Sequence, residues 1–244
     1  MDDAAALWLL RHGQSEGNVV RAAAGLDAEE LDIPLRDMDV PLSDLGRRQA
    51  EAFGAWLCKT TGERRPTVVV SSPYRRAVET AEIVIRTAEL PGELVTDERL
   101  RERDLGMMDL LTLKGFAARF PLEAAHRKRL GKFYYRPPGG ESWVDVALRC
   151  RSLRDSVARE FAGRRVLLVT HEVVIIMFRY LLENLGEEGA LALSRDAAIA
   201  NCSLTAYTRS ANDRLEPDVI DWTAPLDETD VPVTESPDVP IASR

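Results

Sequence analysis

Two stretches of this chain place an imidazole directly after an apolar run. Ala4 to Leu10 is followed by Arg11-His12-Gly13-Gln14-Ser15-Glu16-Gly17-Asn18, and Val166 to Thr170 is followed by His171-Glu172. Arg11 carries a planar fork of donors suited to phosphate. His12 offers a nitrogen that is uncharged and nucleophilic near neutral pH. Gly13 lets the backbone turn and a ligand come close. The residue types are those of anion binding and nucleophilic attack. The third histidine, His126, has no comparable setting and reads as a surface residue.

An apolar run that stops abruptly at reactive residues is a buried strand delivering them to the carboxyl edge of an α/β sheet, where open sheets take their ligands. Thr67 to Ser71 is a third such run, followed by Ser72-Pro73-Tyr74-Arg75-Arg76. Proline marks a helix start, which puts Arg76 in a first turn whose backbone N–H groups also favour an anion. A helix arginine is by default solvated, and that reading holds for Arg75. Leu94-Val95 predicts a short strand leading into the charged loop Glu98 to Gly106, and Ser203–Thr208 and Val219–Trp222 predict the final strands.

Between these runs, Val19 to Asp39 has no clean period and reads as a loop that shields or edges the site. Ser43 is the expected N-cap of a helix whose apolar face is Leu45, Ala52, Phe53, Trp56 and Leu57. Ser142 with Asp145 predicts another helix start, with Val144, Ala147, Leu148, Leu153 and Val157 on its buried face. Strands alternating with helices predict an α/β fold, a three-layer α/β/α sandwich with a mainly parallel central sheet.

The 244 residues suit one domain of residues 1–224 and a Pro-, Asp- and Glu-rich tail of residues 225–244, expected to be disordered or loosely docked. A net charge of −8 argues against nucleic acid or an acidic membrane as partner, so an anionic substrate must be held by local cations. Cys58, Cys150 and Cys202 lack metal-ligand spacing and read as buried apolar filler in a reducing compartment. The longest greasy segment, Val173 to Leu182, contains Arg179 and reads as a core helix rather than a membrane span. The expected location is cytoplasmic.

The string Arg11 to Asn18, the segment Ser71-Ser72-Pro73-Tyr74-Arg75-Arg76-Ala77-Val78-Glu79-Thr80-Ala81, the stretch Leu100-Arg101-Glu102 to Gly106, and Gly139-Gly140-Glu141-Ser142 resemble the motifs of the histidine phosphatase superfamily, the phosphoglycerate-mutase-like enzymes. The resemblance implies convergence of Arg11, His12, Arg76 and His171 on a phosphomonoester, with Asn18 and the backbone N–H of Glu172 as further donors. It implies a phosphohistidine on His12, Glu102 as general acid and then base, and no metal or cofactor. It also implies that residues 107–140 form a helical cap over the site. That stretch holds Arg119, Arg127, Lys128, Arg129, Lys132 and Arg136, which read as a solvated face or as contacts to a substrate's distal groups. The chain departs from the pattern at Met108-Asp109-Leu110 and at Glu172, where the family commonly has Trp-Glu-Gly and glycine.

The expected partner is a small phosphorylated substrate, and hydrolysis is favoured over a phosphoglycerate mutase-type reaction because the insertion between Glu102 and His171 is short. A non-catalytic phosphate-binding regulatory protein on the same fold is the alternative from another class, and a metal-dependent hydrolase is a weaker one.

Overall fold

The structure, a computed structural model, describes residues 4–25, 27–60, 65–196, 198–212 and 214–235. Among them, strands β1 (Ala6–Arg11), β2 (Val68–Ser71), β3 (Val95–Thr96), β4 (Arg165–Thr170), β5 (Leu204–Arg209) and β6 (Leu215–Trp222) form one sheet of order β3-β2-β4-β1-β5-β6. The first four strands in that order run parallel, whereas β5 and β6 pair antiparallel on one side. The expected sandwich with a mainly parallel sheet is what forms.

β1 and β4 are apolar on both faces because both faces are covered. Leu7, Leu9, Val166 and Leu168 join one core with α6 (Trp143–Glu160) and α7 (Glu172–Leu182). Trp8, Leu10, Leu167 and Val169 join the opposite core, with Phe53 and Leu57 of α2 (Asp44–Lys59) and Ala77, Ala81 and Val84 of α3 (Arg75–Ala88). Alternation along each strand therefore sorts one continuous greasy run into two cores. α8 (Glu187–Asp196) packs beside α7.

Ser43 caps α2 through Gly46 N–H, and Ser142 and Asp145 form the expected capping box on α6. Other expectations are corrected. Residues 19–23, expected as loop, belong to helix α1 (Glu16–Ala23), opened by a capping box in which Asn18 takes the place usual for Glu or Gln. Leu148 points to solvent, and the buried face of α6 runs instead through Trp143, Val146, Ala147, Cys150, Leu153 and Val157. Cys58 is exposed, while Cys150 and Cys202 are buried.

Within the stretch expected to form the cap lie α4 (Leu113–Arg119) and α5 (Pro121–Tyr134), the latter kinked at Gly131, whose φ is +80°. Phe116, Phe133 and Tyr135 seat this region on the core beside Trp143. Its cations hold the protein together: Arg119 pairs with Glu30, Arg136 with Asp145, and Lys132 donates to Ser194 while lying over the Trp143 ring.

The expectation of a loosely docked tail from residue 225 is corrected for residues 225–235. They begin in α9 (Ala224–Asp227), which buries Pro225 and Leu226 and lies against α2. The Gln49 amide donates to Pro232 O at 2.9 Å and Thr234 Oγ1 at 3.1 Å. Asn201 N–H donates to Thr234 O at 2.8 Å, and Thr234 Oγ1 donates to Asn201 Oδ1 at 2.9 Å. Residues 236–244 lie outside the described residues.

Candidate active site

Because β1 and β4 are adjacent and parallel, with Arg11 opposite Thr170, the residue after each strand emerges at the same edge. His12 N–H donates to Thr170 O at 2.9 Å, and the His12 and His171 rings lie 5.0 Å apart, edge to face. Both are buried, as are Arg11 and Arg76. The four side chains that the motifs single out are brought together by strand register and one helix start.

His12 Nδ1 lies 2.7 Å from its neighbour's carbonyl, Gly13 O. A carbonyl only accepts, so this contact assigns the proton to Nδ1 and leaves the lone pair on Nε2. Arg76 Nε donates to that Nε2 at 3.3 Å. Gly13 N–H donates to Thr80 Oγ1 at 3.1 Å, and Thr80 Oγ1 donates in turn to Arg76 O at 2.7 Å, tying the His12–Gly13 turn to α3. A Cβ at Gly13 would meet Gly46 O at 2.4 Å, so only glycine lets this turn sit against the start of α2.

His171 Nε2 lies 2.8 Å from Ser72 Oγ, and the Tyr74 ring stands edge-on to His171 at 5.3 Å. Burial above all, and then the charge of Asp37, push the Tyr74 hydroxyl up to about 12, so this phenol is neutral at physiological pH. Neither α3 nor α7 has a side-chain N-cap, and both begin at this edge. Two helix N-termini thus add their partial positive charge to that of the arginines.

Glu102 follows a single 3-10 turn, Glu98–Leu100, and is buried. Its Oε1 accepts from Arg103 N–H at 2.7 Å. The loop is fixed from behind: Arg149 donates to Arg99 O, Glu102 O and Glu141, and Thr170 Oγ1 donates to Leu100 O at 2.8 Å. Arg103, buried and beside Arg127, has its pKa lowered to about 10, chiefly by desolvation.

Asn18 belongs to the same region, but its Oδ1 is engaged in the α1 capping box and accepts from Ser15 N–H at 3.0 Å. Only its amide N–H groups suit an anion. Glu172 begins α7, buried, and its charge is felt by Lys132, whose pKa falls to about 8 because burial outweighs that attraction.

Four contributors were not singled out from the sequence. Ser72 meets His171, Asp37 meets Arg76, and Gln49 Oε1 accepts from Gln14 N–H at 2.9 Å. Asn201 Nδ2 donates to His12 O at 3.2 Å. Ser72 and Thr80 stand inside the motif around Arg76, and that motif was the available signal for Ser72. Gln49, Asn201 and Asp37 carry none.

A cavity of about 190 Å³ opens beside this cluster, lined by Arg21, Asp37, Tyr74, Glu102, Asp104 and Asp109 among others. None of the basic residues of 113–136 lines it. Among the described residues no group of three or more His, Cys, Asp or Glu is arranged to hold a metal ion, and no helix is long and apolar enough to cross a membrane.

Residues 7–216 match the histidine phosphatase superfamily (branch 1). The chain belongs to that superfamily. It is 38% identical over 174 residues to the glucosyl-3-phosphoglycerate phosphatase of Mycobacterium tuberculosis, covering 68% of this chain and 69% of that one. A solved structure of a mycobacterial glucosyl-3-phosphoglycerate phosphatase with VO3 superposes with a TM-score of 0.67 at 32% identity, covering 89% of this chain and 99% of the other. The chain is also 34% identical over 192 residues to a bifunctional protein of Mycobacterium tuberculosis, covering 79% of this chain and 48% of that relative. It therefore spans about half the length of that superfamily member.

Proposed function

We propose that this protein is a metal-independent phosphomonoesterase that works through a phosphohistidine on His12. The observation that carries this reading is the polarity of the His12 ring. Nδ1 is tied to Gly13 O and Nε2 faces Arg76, with Arg11 and His171 buried alongside. An imidazole held this way has one nitrogen positioned for in-line attack, and cations stand where the charge of the transferring phosphoryl group develops.

In the first step His12 Nε2 forms a bond to phosphorus as the ester P–O bond breaks. Glu102, as carboxylic acid, gives its proton to the departing oxygen. In the second, water attacks the phosphohistidine, Glu102 as carboxylate takes the water's proton, the P–N bond breaks and inorganic phosphate leaves. Arg11 and Arg76 supply charge and geometry throughout, with Asn18 amide and Glu172 backbone N–H groups as further donors. His171, positioned by Ser72, adds a donor toward the phosphoryl oxygens.

The test is hydrolysis of p-nitrophenyl phosphate with chelator present, wild type beside His12→Ala. Turnover that vanishes in the variant, with acid-labile phosphate trapped on the wild type alone, supports the scheme. Turnover that survives His12→Ala removes it. Glucosyl-3-phosphoglycerate, named for the relatives, belongs in the panel of natural esters. Transfer of phosphate to an added phosphoglycerate rather than to water would favour the mutase reaction.

A further inference from the structure

Arg76 does not stand alone above His12. Its Nη1 donates to Asp37 O at 2.6 Å, and its Nη2 donates to Asp37 Oδ2 at 3.1 Å. The short 3-10 turn Asp37–Asp39 thus lays a carboxylate across the guanidinium proposed to hold phosphate, at the boundary with the neighbouring cavity. This is a fixed negative charge at the junction between phosphoryl group and leaving group.

The cations that line the same cavity are Arg21, Arg36 and Arg103. Arg36 is exposed and paired with Asp39. Arg103 sends Nε to Glu141 O and Nη2 to Tyr135 O, away from a ligand. Asp104 and Asp109 line the same cavity. The Asp109 carboxyl is held above its ordinary range, by desolvation first and by the charge of Asp37 next, with Arg21 opposing. Asp37, Asp104 and Asp109 therefore border one space, the one the leaving group must fill, with Arg21 as the cation that opposes them there.

We propose that Asp37 sets the charge of the substrate: the enzyme takes phosphate esters whose leaving group is neutral or bears an ammonium group, and turns away those carrying a carboxylate or second phosphate. This rests on the hydrolase reading above. A carboxylate entering the cavity meets Asp37, Asp104 and Asp109 at once, whereas an ammonium group is drawn to the same three. Discrimination by repulsion needs no close fit, so it can act on a family of esters rather than on one compound.

Asp37→Asn separates charge from architecture. The backbone carbonyl and an amide oxygen can still accept from Arg76, and only the negative charge is lost. The experiment measures kcat/KM of the full chain on phosphoethanolamine, glycerol 3-phosphate and 3-phosphoglycerate, at low and high salt, for wild type, Asp37→Asn and Asp109→Asn. The wild type is expected to prefer phosphoethanolamine to 3-phosphoglycerate by about tenfold or more at low salt, and high salt should shrink the preference. Asp37→Asn should bring the ratio toward one, chiefly by improving the carboxylate ester, and Asp109→Asn should move it less.

A wild-type preference for 3-phosphoglycerate, or a ratio that Asp37→Asn leaves in place, overturns the proposal. His12-dependent hydrolysis with no charge preference overturns this inference alone. Hydrolysis of no ester, or hydrolysis unaffected by His12→Ala, overturns the phosphatase reading and this one with it.

Discussion

The proposed phosphate end and the proposed leaving-group end of this site are built by different means. At the phosphate end, Arg11, His12 and His171 sit at or just past the tips of two adjacent parallel strands whose register is fixed by burial on both faces. At the leaving-group end, Asp37, Glu102, Asp104 and Asp109 all come from loops and 3-10 turns. The first is backed by two cores and tolerates little change. The second is held by local networks, such as Arg149 on Glu141 and the Glu102 loop, and can be altered without touching the sheet. In the proposed reaction this is a division of labour: strand tips carry the chemistry that every substrate would share, and loops carry what would distinguish one substrate from another.

That division can be broken by mutation. The largest effect is expected from His12→Ala, which should lower kcat by more than about 10³-fold for every ester alike, as read by steady-state assays on aryl and alkyl phosphates. Glu102→Gln should be unequal: about 10²-fold or more on an alkyl phosphate, whose leaving oxygen needs a proton, and much less on p-nitrophenyl phosphate. Equal losses on the two would remove Glu102 from the acid role. Arg76→Lys keeps a charge but loses the fork that reaches His12 and Asp37 together. A loss of roughly 10- to 100-fold is expected, uniform across esters, and a loss that varied with leaving group would erase the boundary between the two ends.

The smallest effect concerns stability. Burial opposes ionisation of Asp145, but the Arg136 fork and Ser142 outweigh it and hold this carboxyl at about 2, against 3.8 ordinarily. A carboxyl depressed in the folded state stabilises above its unfolded pKa and loses that contribution as pH falls through the folded value. The bridge should therefore contribute on the order of 1 kcal/mol above pH 4 and lose it between pH 4 and 2. Urea titrations of wild type and Asp145→Asn should differ at pH 5 and converge near pH 2.

The same contrast decides what could be read from the chain. Strand tips are legible because an apolar run that ends in Arg-His or in His leaves little choice about what is buried and what is presented. The N-caps at Ser43 and Ser142 are legible because capping is local chemistry. Helix α1 was hidden because Asn18 closes its capping box where Glu or Gln is the usual signal. Asp37 was hidden because its partner is 39 positions away, and nothing in an aperiodic loop announces which carboxylate will fold onto Arg76. Residues 225–235 read as loose because they open a stretch rich in Pro, Asp and Glu with little periodicity. Their anchoring rests on the buried Pro225 and Leu226, on the Thr234 hydroxyl, and on main-chain groups that composition does not record.

Those last contacts also bear on how the protein comes into being. Asn201 holds His12 O, Thr234 holds Asn201, and Gln49 holds both Gln14 N–H and Thr234. His12 is made ahead of most of the sheet, and the segment around Thr234 that braces its carbonyl through Asn201 follows all six strands in the sequence. Contacts so distant in sequence form late in folding. A nascent chain thus carries the His12 imidazole past the making of all six strands before the frame around its carbonyl exists, and that frame is completed as a closing event rather than by degrees.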